Sequence, residues 1–291
     1  MNEHSVNTRD GRMLHVQEDG DRRGKPVFAL HGTPGSAMLY GAHVNDAAKR
    51  GIRLISYDRS GYGESSRHRG RKVADAAKDV EVIADSLGLE RFAVWGISGG
   101  GPHTLACAAL LPKRVVAAAS LASPAPYGAP GLDWLNGQGE DNVNEFNAAL
   151  VGSDKLARFL EPQREMVMKA TPQEMVEGWE SLIPPVDREA MLGKLGPFLV
   201  SNMKAGLRSG YDGWQDDDLA FVSDWGFELS DISVPLVLWQ GRHDKMVPYS
   251  HGEWLAGHIN RVEAHLTPED GHLTLFDRRV PEAHAWLMKH F

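Results

Sequence analysis

The sequence of 291 residues predicts an α/β fold, in which helices flank a mostly parallel sheet and a helical segment interrupts the alternation. Short apolar runs alternate with segments of helical periodicity from residue 13 to residue 121. This alternation stops near Pro124, and about a hundred residues of helical fragments with little strand character follow. Strand character then returns at Val234. One α/β domain with a helical insertion explains all three observations.

The predicted strands of the first half are apolar runs that mostly end at loops containing glycine or proline. They cover residues 13–18, 27–30, 53–58, 92–97 and 115–121. Apolar residues at helical spacing predict helices over 73–87 and 99–111, which end at Gly88 and before Pro112. Crossover helices of this kind cover the faces of a parallel sheet.

The second half consists of the insertion, a further strand over 234–239 and a final helix over 281–291. We therefore expect an α/β core made of residues 1–124 and 232–291, and a separate helical unit made of residues 125–231. Charge supports this division. The insertion carries 19 acidic and 8 basic residues, whereas the rest of the chain carries 20 acidic and 23 basic residues.

Composition and charge exclude several classes of partner. A formal net charge of −8 makes the chain a poor match for nucleic acid or an anionic membrane surface. The single cysteine, Cys107, has no partner for an internal disulfide. The first residues lack the apolar stretch of a signal peptide, and no run approaches the ~18 apolar residues of a membrane span. We expect a cytoplasmic protein, and the oligomeric state stays open.

The strongest motif is G-x-S-x-G at residues 96–100, with Ser98 at its centre. An apolar strand precedes it and an alanine-rich helix follows it, which is the setting of a nucleophile elbow. A tight turn of this kind needs small neighbours, and it presents the serine hydroxyl at a helix N-terminus, where developing negative charge is favoured. The alternative interpretation is a glycine-rich turn with an incidental serine.

With this motif, the chain resembles the α/β-hydrolase fold superfamily, and in particular its capped serine hydrolases and esterases. Residues 31–36 (HGTPGS) resemble the loop after the third strand of that family, and residues 58–65 (DRSGYGES) resemble the segment after the fourth strand. The resemblance covers nearly the whole chain. It implies a sheet of about eight strands and a helical cap, residues 125–231, inserted after the sixth strand.

The resemblance also implies a catalytic triad in the chain order serine, acid, histidine. Asp244 follows a strand and a glycine, which makes it the predicted acid, and His272 lies between the last strand pattern and the final helix, which makes it the predicted base. The backbone N–H groups of Thr33 and Gly99 are the predicted oxyanion hole, because Pro34 has no N–H.

Other acidic and aromatic residues receive structural interpretations at this stage. Residues 216–218 (DDD) predict a solvated loop, Asp58 is interpreted as a structural residue that binds turn amides, and Asp270 is interpreted as a surface carboxylate. The insertion holds 11 of the 23 aromatic residues, which we interpret mostly as the core of the cap, with some lining an apolar pocket above Ser98. No zinc-ligand spacing, phosphate-binding loop or dinucleotide fingerprint is present, so we expect no cofactor and no metal.

We therefore predict a serine hydrolase that cleaves a small to medium carboxylic ester through an acyl-enzyme on Ser98. An aminopeptidase stays open, because residues 139–142 (GEDN) resemble the cap segment of proline iminopeptidases. A lactonase, a C–C bond hydrolase and a perhydrolase would use the same triad. A ligand-binding receptor that lost turnover is the non-enzymatic alternative. The acidic insertion predicts that anionic substrates are disfavoured.

Overall fold

The computed structural model describes residues 1–291 and contains one sheet of eight strands. The strands are β1 (Asn2–Asn7), β2 (Met13–Gly20), β3 (Lys25–Leu30), β4 (Ile52–Tyr57), β5 (Phe92–Ile97), β6 (Val115–Leu121), β7 (Leu236–Gly241) and β8 (Val262–Thr267). Their order in the sheet is β1-β2-β4-β3-β5-β6-β7-β8. The β1–β2 and β2–β4 pairs are antiparallel, and all other pairs are parallel.

Eleven α-helices flank or cover this sheet. They are α1 (Gly41–Lys49), α2 (Asp75–Ser86), α3 (Gly100–Leu110), α4 (Glu140–Val151), α5 (Ser153–Lys169), α6 (Pro172–Gly178), α7 (Pro185–Leu192), α8 (Leu195–Gly206), α9 (Asp212–Phe221), α10 (Tyr249–His258) and α11 (His272–Leu287). None of them combines the length and hydrophobicity that crossing a bilayer requires.

The predicted fold class is confirmed, because the sheet is mostly parallel and six helices lie between β6 and β7. The predicted start of the final helix is wrong. The helix begins at His272, nine residues before the predicted start, and Pro281 lies inside it. Proline is favoured in the first turn of a helix, which made Pro281 resemble a helix start. No limits were predicted for β1, β8, α1 and α10.

Three hydrophobic clusters stabilise the molecule. Two of them, of 30 and 19 buried residues, lie on the two faces of the sheet, which is why the central strands are apolar throughout. The third, of 17 buried residues, is built mainly from α4 to α9. A separate cluster in the insertion supports our proposal that residues 125–231 form a cap on a core of residues 1–124 and 232–291.

Candidate active site

Ser98 occupies the turn between β5 and α3 with a φ of +55°, in the left-handed region that is unfavourable for a residue with a side chain. The turn is held in place by close backbone packing. A Cβ on Gly96 would lie 2.3 Å from the carbonyl oxygen of Gly100, and a Cβ on Gly100 would lie 2.1 Å from that of Leu30. Glycine is therefore required on both sides of the serine, as a nucleophile elbow demands.

Asp244 and His272 form a buried pair at the ends of β7 and β8. The Nδ1 atom of His272 lies 2.8 Å from Oδ2 of Asp244. The other carboxylate oxygen accepts hydrogen bonds from the backbone N–H groups of Met246 (2.9 Å) and Val247 (2.8 Å), which fix its orientation. This carboxylate selects the ring tautomer that carries its proton on Nδ1, so that Nε2 is the basic atom.

The electrostatics of His272 suit a proton acceptor that becomes charged during a reaction. Burial alone would lower the pKa of its ring, but the negative charge of Asp244 and the hydrogen bond to it raise the pKa by more, and the net shift is upwards. A base with a raised pKa takes a proton more readily, provided that the pH is high enough to leave the ring neutral beforehand.

Ser98 and His272 line one cavity of about 200 Å³. No hydrogen bond joins Ser98 Oγ to His272 Nε2 in this structure, and contacts of this kind often tighten only in the presence of substrate. Thr33 and Gly99 line the same cavity, whereas Asp244 lies outside it, behind the imidazole ring. Four of the five predicted site residues therefore meet at one cavity, and their roles stay predictions.

The two amides predicted for the oxyanion hole are unpaired within the chain, since neither Thr33 nor Gly99 donates a backbone hydrogen bond. The two residues are in close contact. A Cβ on Gly99 would lie 2.2 Å from Oγ1 of Thr33, so only glycine fits there. The peptide bond between Thr33 and Pro34 is cis.

A buried ionic cluster holds the loop that carries Thr33, and the sequence analysis did not find it. Asp217 in α9 accepts hydrogen bonds from Oγ1 of Thr33 and from the guanidinium groups of Arg59 and Arg71, each at 2.6 Å. His103 lies 3.2 Å from the same carboxylate. Arg59 also donates to the two carbonyl oxygens of the loop just before Thr33. This cluster therefore fixes the backbone from which the predicted oxyanion donor projects.

The prediction of a solvated loop over residues 216–218 is consequently wrong. All three aspartates lie buried in α9, and Asp217 is fully buried. Burial would raise its pKa, but the positive charges of Arg59 and Arg71 hold it well below its usual range, so that the group stays ionised. A run of carboxylates is normally solvated, and the arginines that reverse this expectation lie about 150 residues away in the sequence.

The structure agrees with the prediction for Asp58 and disagrees with the prediction for Asp270. The expectation that Asp58 binds turn amides is confirmed, because it accepts hydrogen bonds from the N–H groups of Ala37 (2.6 Å) and Glu64 (3.1 Å). The expectation that Asp270 is a surface carboxylate is wrong. It is fully buried and accepts a hydrogen bond of 2.7 Å from Arg279, which shields it from water.

The cavity is mainly apolar, since 24 of its 42 lining residues are hydrophobic. More of the insertion's aromatic residues reach it than the sequence analysis expected: seven of the eleven line it, namely Trp134, Phe146, Phe159, Trp179, Phe198, Trp214 and Phe221. Side chains of His, Cys, Asp and Glu form no group of three or more with metal-binding geometry. The cavity therefore offers a mainly apolar surface around Ser98, with the carboxyl groups of Asp141, Glu145 and Asp218 also in its wall.

Comparison with known proteins places this chain in a family. A model described as the alpha/beta hydrolase fold matches residues 25–279. The pimeloyl-acyl-carrier-protein methyl ester esterase of Nitrosomonas europaea is 28% identical over 261 residues, which cover 89% of this chain and 92% of that protein. A bifunctional esterase/perhydrolase of Acinetobacter calcoaceticus is 26% identical over 246 residues, covering 84% and 83%.

Among solved structures, the bromoperoxidase of Bacillus anthracis superimposes with a TM-score of 0.74 at 19% identity and covers 99% of this chain and 100% of its own. At this identity the likeness concerns the fold alone. The family model, however, spans most of the sequence, including the turn of Ser98 and the segments of Asp244 and His272. The chain belongs to the alpha/beta hydrolase fold family.

Proposed function

We propose that the protein is a serine hydrolase that cleaves a small to medium carboxylic ester through an acyl-enzyme on Ser98. One observation carries this proposal: the strained Ser98, the buried His272–Asp244 pair and two unpaired amides converge on a single apolar cavity. An ester is uncharged and largely apolar, so it suits such walls. The chain is a hydrolase of ester bonds in this proposal, in keeping with the esterase names of the relatives described above.

The proposed reaction has two halves. Ser98 Oγ attacks the ester carbonyl while His272 Nε2 takes the hydroxyl proton, and the amides of Thr33 and Gly99 hold the oxygen that becomes negative. Collapse of this intermediate breaks the ester bond, and His272 returns the proton to the departing alcohol. Water then attacks the acyl group with His272 again as base, which releases the acid and restores Ser98.

A fluorophosphonate probe tests the nucleophile without knowledge of the substrate. We expect covalent labelling of the folded protein, with the modified peptide located at Ser98 by mass spectrometry and labelling lost after heat denaturation. A panel of p-nitrophenyl esters of graded acyl length, with lactones and amino-acid amides alongside, then defines the substrate class. A folded protein that hydrolyses esters but resists the probe, or is labelled at another serine, would contradict the proposal.

A second candidate, hydrolysis of substrates that carry an amino group, is favoured by two carboxyl groups in the cavity wall. Glu145 in α4 and Asp218 in α9 both line the cavity. Asp218 is buried, and neither of its carboxylate oxygens accepts a hydrogen bond from an N–H or O–H donor. The carboxyl group of Glu145 lies beside it, and two carboxyl groups can bond only when one of them holds a proton.

The charge of this pair depends on what fills the cavity. Burial raises the pKa of Glu145 to about 7, and burial together with the charge of Glu145 raises the pKa of Asp218 well above its usual range. These shifts favour a single proton held between the two carboxyl groups near neutral pH. A protonated amine of a substrate could replace that proton and neutralise the pair, whereas an anionic substrate would meet like charge.

Two methyl esters of similar shape, prolinate and cyclopentanecarboxylate, separate the two candidates. If the carboxyl pair binds an amine, kcat/KM favours the prolinate by about tenfold or more, and Asp218→Asn removes this preference. Asp216→Asn is the matched control. The carboxylate of Asp216 pairs with Arg67 outside the cavity, so this variant should keep the preference for the prolinate. Equal rates for both esters in the wild type would leave the neutral ester as the substrate class.

A further inference from the structure

Helix α11, which begins with His272, has no side chain at the position before it, and its own Thr274 accepts only the backbone N–H of Gly271, at 2.7 Å. The first N–H groups of a helix lack partners within the helix, and a side chain at the preceding position usually accepts from them. Here the preceding residue is Gly271. The structure supplies the missing acceptor from the insertion, where Asp187 in α7 lies against this turn although it is 85 residues away in the sequence.

Both oxygens of the Asp187 carboxylate are used at this turn. Oδ2 accepts the backbone N–H of His272 at 2.7 Å, and Oδ1 accepts the backbone N–H of Thr274 at 2.9 Å and its hydroxyl group at 3.1 Å. The packing leaves no room for adjustment. A Cβ on Gly271 would lie 2.4 Å from Oδ2 of Asp187. Glycine at this position therefore provides no capping side chain, but it leaves the space that the Asp187 carboxylate occupies.

The residue that follows His272 strengthens this attachment. Leu273 is buried and belongs to the hydrophobic cluster of the insertion rather than to either cluster of the sheet. The backbone of His272 is thus held by a carboxylate of the insertion on its N–H, and the next side chain is packed into the same unit. The ring of His272 is held separately, through Nδ1, by Asp244 of the core.

We propose that Asp187 is a positioning residue for His272, through which the insertion sets the placement of the predicted base. This inference rests on the proposed serine mechanism and adds a residue to it. Asp187 fixes the backbone from which the imidazole projects, whereas Asp244 fixes the rotation of the ring. Asp187 touches neither the nucleophile nor the cavity, and it acts only through His272 and the first turn of α11.

The pKa of His272 provides a test of this role, because a merely structural role of Asp187 would not change it. Asp187 and Asp244 are the two charged groups that raise the pKa of His272 against the effect of burial. Replacing Asp187 by asparagine removes one of these negative charges, so the pKa of His272 falls. It also turns an amide N–H group towards donors that need an acceptor, which displaces the backbone. Activity and pH profile should therefore change together.

The pH dependence of labelling by a fluorophosphonate tests this proposal, because it reports the neutral fraction of His272 without any ester. In the wild type we expect the labelling rate to rise with pH, with a midpoint above 6.5, the ordinary pKa of histidine. In Asp187→Asn we expect this midpoint at a lower pH. We also expect a maximal labelling rate lower by roughly 10- to 100-fold, because small misplacements of a reacting group have effects of this size. Glu189→Gln, an exposed position of the same helix, should match the wild type.

Each outcome decides the matter. If Asp187→Asn is folded and keeps both the wild-type pH midpoint and the wild-type maximal labelling rate, the proposal is wrong, even where thermal stability has fallen. If that variant does not fold, Asp187→Glu keeps the charge but moves both oxygens away from their positions against His272 and Thr274, so the maximal labelling rate should fall, and an unchanged maximal rate overturns the proposal. Failure of the serine mechanism itself looks different, because the wild type would then not be labelled at all.

Discussion

Ser98→Ala should lower kcat for ester hydrolysis by at least about four orders of magnitude while leaving KM nearly unchanged. The substitution removes the one atom that attacks the carbonyl, whereas the walls that bind the ester stay in place, and losses of this size follow removal of the nucleophile from a triad. The φ of +55° is strained for alanine as for serine, so the elbow should keep its shape and the fold should persist. Stopped assays with p-nitrophenyl butyrate measure both constants.

Ser120→Ala is the matched control for that variant. Ser120 lies in β6 opposite Gly96, it is buried, and its hydroxyl group has no hydrogen-bond partner and does not line the cavity. The same oxygen atom is therefore removed from the neighbouring strand, and activity should stay at the wild-type level. A folded Ser98→Ala variant with undiminished turnover would refute the acyl-enzyme and leave the His272–Asp244 pair to act on water directly.

Asp217→Ala should destabilise the protein by about 3–5 kcal/mol, the cost of leaving buried cations without their partner. The guanidinium groups of Arg59 and Arg71 would lose a carboxylate at 2.6 Å in a site that water does not reach. We expect a clear fall in the free energy of unfolding, measured in urea with an unchanged m-value. Because Thr33 loses a hydrogen bond as well, kcat should also fall at temperatures where the variant is folded.

The appropriate comparison for this prediction is a similar ion pair in water. Asp224 pairs with Lys72 at 2.5 Å, but both side chains are largely exposed, so Asp224→Asn should leave the unfolding midpoint at the wild-type value. Asp217→Asn, which keeps the size of the side chain and loses its charge, should fall between the two. If Asp217→Ala unfolds at the wild-type urea concentration, the buried cluster contributes nothing net to stability.

Local sequence signals were sufficient for the scaffold and for the candidate triad. The predicted limits of β5 and β6 agree with the structure because both strands are uninterrupted apolar runs bounded by loops. Ser98 stood out because an elbow demands glycines within two residues of it. His272 and Asp244 were predicted from the chain order that the family resemblance implies, together with the strands before them. The strand and elbow signals are contained in short windows of the chain, where pattern and geometry are directly linked.

What the sequence analysis missed depends on distant pairing. The carboxylates of Asp187, Asp217 and Asp218 look alike in the sequence, yet one caps a helix, one neutralises two arginines, and one lies beside another acid, which together with burial raises its pKa. Net charge likewise does not show which acidic groups face a substrate, so the prediction that anionic substrates are disfavoured stays a prediction. The insertion is acidic as a whole, but several of its charges are already paired inside the protein, and only the charges that line the cavity act on a substrate.

The attachment of α9 through Asp217 has a consequence for how molecules reach Ser98. Lifting that helix away would separate the buried Asp217 carboxylate from two arginines and from the Thr33 hydroxyl at once, so an opened form would be scarce. Entry by displacement of α9 would pass through this scarce form. The protein should therefore select substrates by whether they pass between rigid walls. Bulky groups near the ester should lower kcat/KM far more than kcat.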